Sequence, residues 1–257
     1  MKYCLNSNVG PALLNEADEI AITKEDFGSV YMIAGRYPNA TIIVPEPIDE
    51  FDWDGLKALS EAFPNRIMVC VAHAYALKMC AEMEIPFFYR YAVTSFQEVR
   101  SLRELGAAYI VVAPPLFFQL DKVKALGVPV RACPNKGGDL GILSASFAHD
   151  SWILPKEIDE YEDYIDTLYF VGKTPDAEAT LYKIYSKDKR WLASLDMVIP
   201  DCPTDTFESG IIEPMAPRRI KCGQVCEIDG RCHFCENALK TASGATLRYY
   251  NAQKEKS

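Results

Sequence analysis

The chain has 257 residues, 49% of them hydrophobic and 25% charged, and a formal net charge of −9. That size and composition suit one α/β barrel or two small domains, and the negative charge excludes a broad electrostatic grip on a phosphate backbone. No run approaches the ~18 apolar residues of a membrane helix, and the start, MKYCLNSNVGPALL, lacks the apolar stretch of an export signal.

In chain order, MKYCLN at 1–6 and DEIAI at 18–22 are alternatives for the first strand. Seven further strands are expected: TIIVP at 41–45, RIMVCV at 66–71, IPFFYRY at 85–91, AYIVVAP at 108–114, VPVRAC at 128–133, SWILP at 151–155 and TLYFV at 167–171. Most are continuous apolar runs, as strands buried on both faces require. Helical patterns separate them. The clearest is SFQEVRSLRELG at 95–106, where Phe96, Val99, Leu102 and Leu105 form one apolar stripe. Ser95 is placed to cap its start and Gly106 to end it. WDGLKALSEAFPN and HAYALKMCAEME carry the same pattern, and KTPDAEATLYKIYS opens with Thr174 as cap and Pro175 at the first helical position. Strands recurring about every 20 residues, eight or nine in all, point to a closed (βα)8 TIM-like barrel rather than an open doubly wound sheet.

The expected barrel covers 1–186. Residues 187–257 read as an irregular, proline-bearing crossing segment, a four-cysteine metal-binding appendage, and a short C-terminal helix and tail. The appendage, KCGQVCEIDGRCHFC, holds Cys222, Cys226, Cys232 and Cys235 in a Cys-x3-Cys-x5-Cys-x2-Cys spacing. Four soft thiolates brought together bind Zn²⁺ or a [4Fe-4S] cluster, and the spacing leaves both open. The plainer alternatives are unrelated reduced thiols or two local disulfides. Nine cysteines, an odd number, without an export signal, fit reduced thiols in a cytoplasmic protein.

Working groups of a βα barrel stand at the C-terminal ends of its strands. Those ends supply Glu46, His73 and Glu157 as candidate acid–base catalysts. They also supply Arg90, Arg131, Asn135 and Lys173 as candidate groups for holding an anionic substrate. Each has a plain structural alternative as a helix cap or an ion-pair partner. Cys133, two residues after Arg131, is a candidate reactive thiol. NKGGDLG at 135–141 is a glycine loop without the order of a dinucleotide or P-loop motif.

Three features taken together carry a resemblance: the barrel pattern, WILPKEI at 152–158, and DGRC at 229–232 inside the cysteine cluster. With these the chain resembles the peptidase U32 family. The resemblance implies an α/β barrel followed by cysteines that in several members hold a [4Fe-4S] cluster. It also implies collagenase-like peptidase activity, or oxygen-independent hydroxylation of RNA bases and quinone precursors. Glu157 and the four cysteines are the residues it covers. The family spreads its cluster ligands more widely than the single run found here.

The expected function is therefore a U32-like, metal- or cluster-containing enzyme acting on an anionic, RNA-linked or peptide substrate at the barrel mouth. The alternative is a non-catalytic barrel whose structural zinc site serves binding or assembly. A third expectation is a nucleic-acid contact through residues 216–257, where eight Lys/Arg face four Asp/Glu.

Overall fold

The computed structural model describes residues 1–187, except 24, 48–49, 113, 135–152, 154–156 and 171–173, together with residue 220. Its strands are β1 (Lys2–Asn6), β2 (Glu19–Ala21), β3 (Thr41–Pro45), β4 (Ile67–Val71), β5 (Phe87–Tyr89), β6 (Ile110–Val111), β7 (Val130–Ala132) and β8 (Thr167–Tyr169). The helices are α1 (Pro11–Leu14), α2 (Val30–Arg36), α3 (Glu50–Ala62), α4 (Ala74–Glu82), α5 (Phe96–Glu104), α6 (Pro114–Phe117), α7 (Leu120–Ala125), α8 (Ile158–Tyr161) and α9 (Pro175–Ser186).

All ladders are parallel, in the spatial order β5-β4-β3-β2-β1-β8-β7-β6. The two ends of that order meet through single parallel bridges, Phe88 to Tyr109 and Val93 to Val112. Ala108 N–H donates to the Phe87 carbonyl and Val93 N–H to the Val111 carbonyl, both at 2.8 Å. The result is a nearly closed, TIM-like (βα)8 barrel whose thinnest seam lies between β5 and β6. Both candidate first strands are used, and β1 pairs with β2 and β8. The eight are complete without the segment at 151–155, whose described residue, Ile153, lies outside any strand.

Strand alternation explains the burial. Leu5, Ile20, Ile42, Val44, Val69 and Ile110 are all fully buried, each such side chain contributing about 1.5–3 kcal/mol. The alternate residues Cys4, Ile43, Met68, Phe88, Tyr109 and Val111 form a cluster of their own. Both strand faces are thus covered, which is why these strands read as unbroken apolar runs.

The helices start where the sequence signals place them. Ser95 caps α5 in a reciprocal box with Glu98, and Gly106 follows at φ +84°, a left-handed turn that glycine adopts without strain. Thr174 Oγ1 accepts from Ala177 N–H at the start of α9, with Pro175 in the first turn.

The chain divides into two compact units. The first, Met1–Leu116, Leu120–Ala132 and Asp163–Tyr169, holds all eight strands. The second comprises Phe117–Gln119, Cys133–Glu162 and Phe170–Ser257. Within its described part Phe117 stacks on Tyr161 at 5.6 Å, and the Tyr185 hydroxyl donates to the Ile153 carbonyl at 2.6 Å. No described helix is long and apolar enough to cross a membrane. Cys4, Cys70, Cys80 and Cys133, the described cysteines, form no disulfide.

Candidate active site at the barrel mouth

Glu46 is the first residue past β3, and His73 lies two residues past β4. The pairing of these strands sets Pro45 opposite Cys70, which brings Glu46 against the chain leaving β4. Glu46 Oε2 accepts the N–H of Ala72 at 2.5 Å and of His73 at 2.9 Å. Its Oε1 lies 2.8 Å from His73 Nδ1. The carboxylate side chain is 8% exposed and the imidazole 70%, so an enclosed acid backs an open histidine.

Burial pushes the Glu46 carboxyl upward, but the two backbone N–H groups and the imidazole outweigh it and hold the group below its usual range. Glu46 is therefore ionised at neutral pH. An ionised carboxylate only accepts hydrogen bonds, so the Nδ1 that faces Glu46 is the nitrogen that carries a proton.

Tyr75, in the first turn of α4, completes this corner. Its ring stacks on His73 with centroids 6.1 Å apart and planes 25° apart, and its hydroxyl donates to the Pro47 carbonyl at 3.3 Å. Burial first, then the charge and hydrogen bonding of Glu46, raise the phenol above its ordinary range.

The next strand end adds a cation and rings. Arg90 N–H donates to the Val71 carbonyl at 2.7 Å, which fixes the exit of β5 beside that of β4, and the Arg90 side chain is exposed. Tyr89 and Tyr91 meet edge to face at 5.4 Å. Cys70, half-buried on β4, packs against the interior cluster. Burial raises its thiol, and Arg131 and Arg90 oppose that rise while Glu46 adds to it. Burial wins, so Cys70 remains a thiol at neutral pH.

A second polar group lies inside the barrel. Arg131 on β7 is 3% exposed and its Nη1 donates to Glu19 Oε2 on β2. Thr167 Oγ1 donates to Glu19 Oε1 at 3.3 Å. The guanidinium also lies over the rings of Phe88, Tyr109 and Tyr169, at 4.6, 5.6 and 5.7 Å. Burial alone would lower the Arg131 pKa; the neighbouring Cys4 and Glu19 overcome that and hold it above the usual arginine value.

Of the residues singled out from the sequence, Glu46, His73, Arg90 and Arg131 belong to the first unit, and the first two touch. Arg131 lies within a strand with its charge engaged by Glu19, and Arg90 stands at the surface. Glu157 is buried in the second unit, at the start of α8, and Cys133 is buried there too. Asn135, Lys173, Cys222, Cys226, Cys232 and Cys235 lie outside the described residues. Among the described residues, no group of three or more Cys, His, Asp or Glu is placed to hold a metal ion.

Cys70, Tyr75 and Glu19 were not singled out. Glu19 sits in a run taken only as a possible strand, and Tyr75 is two positions from His73, a spacing that does not meet on a helix. They meet because His73 is extended, at φ −119° and ψ 145°. Ser7, Thr23 and Asp26, beyond β1 and β2, also form a hydrogen-bonded knot, with Ser7 Oγ donating to Asp26 Oδ2 at 2.6 Å.

No protein-family model matches the chain, and no curated protein matches it. Solved structures resemble it in fold. One is described as a cube-shaped, highly porous protein cage designed by fusing symmetric oligomeric domains. It shares 14% identity at a TM-score of 0.44, over 99% of this chain and 84% of the other. Another, described as a native KDPGal structure, shares 15% identity at a TM-score of 0.44, over 72% and 92%. The Xanthomonas albilineans dihydropteroate synthase, in complex with indole-2-carboxylic acid and 6-chloroguanine, shares 14% identity at 0.41, over 72% and 94%.

Proposed function

We propose that the chain is an enzyme whose active site is the barrel mouth at the ends of β3, β4 and β5. His73 acts as the proton carrier, Glu46 orients it, and Arg90 holds an anionic substrate. The observation that carries this reading is the 2.8 Å contact between an enclosed carboxylate and a largely exposed imidazole. In that arrangement Nε2 takes a proton from substrate, and Glu46 stabilises the imidazolium that forms. Arg90 offers a planar fork suited to a carboxylate or phosphate.

In its U32-like form the reading extends to the C-terminal cysteines. Cys222, Cys226, Cys232 and Cys235 would hold a [4Fe-4S] cluster or Zn²⁺, and their support is the donor set and its spacing. A bound cluster would supply electron transfer and bound zinc a fixed local fold. Anaerobic purification followed by metal analysis and a visible spectrum separates the two: broad iron–sulfur absorbance supports the cluster, and a colourless protein with zinc sinks it.

A thermal-shift screen of carboxylate- and phosphate-bearing metabolites tests the mouth. The reading expects a stabilising ligand whose effect is lost in Arg90→Ala and whose turnover is lost in His73→Ala. A ligand bound and turned over equally by both variants would defeat it. The second reading, a non-catalytic barrel, is favoured by one specific observation. Glu46 already staples the exits of β3 and β4 through backbone N–H groups, a purpose that needs no chemistry.

A further inference from the structure

We infer that Tyr75 is a positioning residue for the Glu46–His73 pair, setting the plane and the tautomer of the imidazole. The inference rests on the proposed role of that pair.

An exposed histidine side chain ordinarily samples several rotamers, and a single hydrogen bond at Nδ1 leaves the ring free to pivot about it. Here the ring has a second constraint. The Tyr75 ring lies nearly parallel to it, at 25°, so rotation of the imidazole out of that plane costs the stacking contact. Tyr75 is itself 53% exposed, so burial alone does not fix it. Its hydroxyl takes that part, donating to the Pro47 carbonyl beside the Glu46 carboxylate.

Tyr75 therefore ties the exit of β3 at Pro47 to the first turn of α4, across the carboxylate that His73 uses. Placed this way, Tyr75 acts through Glu46 and His73 rather than on a reacting atom. It keeps Nδ1 on the carboxylate and Nε2 outward, the arrangement a general base needs before substrate arrives.

The test is the imidazole ¹⁵N spectrum of the intact chain. There are three histidines, and the His73 signals are assigned by their absence in His73→Ala. Wild type is expected to show His73 as the single Nδ1–H tautomer. Tyr75→Ala is expected to lose that single pattern and average between tautomers, with its circular dichroism unchanged. Tyr75→Phe keeps the ring without the hydroxyl and is expected to lose less of it. A wild-type Nδ1–H pattern that persists in Tyr75→Ala overturns the role of Tyr75 and leaves the dyad standing. A wild-type Nε2–H pattern overturns the dyad itself, and the positioning role with it.

Discussion

Two carboxylate pairs of the barrel, Glu19 with Arg131 and Glu46 with His73, sit in opposite surroundings. Glu19 and Arg131 face each other inside the barrel, with both side chains at most 3% exposed and three aromatic rings around the guanidinium. Glu46 and His73 meet at the rim, where the acid is enclosed and the base is open. The interior pair spans β2 to β7, and its guanidinium lies over Phe88 on β5, Tyr109 just before β6 and Tyr169 on β8. It links two strands that are not neighbours in the sheet. The rim pair leaves most of the imidazole open to solvent.

The largest expected effect breaks the interior pair. Arg131→Met leaves the Glu19 carboxylate enclosed without its cation, at a cost of about 3–5 kcal/mol in urea unfolding. Combining it with Glu19→Met should restore most of that loss, because two apolar groups replace two charges. A double variant no more stable than the single would show that the pair contributes more than mutual charge compensation.

Next is Glu46→Gln, whose amide oxygen still accepts from the two backbone N–H groups but whose NH2 replaces the charged acceptor facing His73 Nδ1, at about 1–3 kcal/mol. The pH dependence has a definite sign. The Glu46 carboxyl lies below its usual range in the folded chain. Its contribution is therefore full above the unfolded value of about 4 and is lost as pH falls through the folded one. The stability gap between wild type and Glu46→Gln should narrow on acidification. A gap that widens below pH 4 would contradict the assignment. A smaller effect lies away from both pairs: Ser95→Ala removes the capping box of α5 and should cost about 1 kcal/mol.

These regions were unequally legible in the sequence. The caps at Ser95 and Thr174 could be read because a cap is local chemistry, complete within four residues. The strand runs were also legible, although AYIVVAP yields only Ile110–Val111 as strand, because ladder pairing and apolar content are different things. Glu46 and His73 could be placed from strand ends alone. The partner of Arg131 could not: Glu19 lies 112 positions away, and only the barrel register brings them together. Arg131 was read as a strand-end group because its position within β7 depends on pairing with β8. Tyr75 was hidden for a local reason, the extended backbone at His73 just before the helix.

The contrast between the two pairs is tested most directly by urea unfolding of His73→Ala beside Arg131→Met. An open imidazole kept for chemistry contributes little to the fold, so His73→Ala should stay within about 0.5 kcal/mol of wild type while Arg131→Met falls by several. A loss in His73→Ala as large as that in Arg131→Met would make the rim pair structural and contradict the assignment of the mouth as the working site.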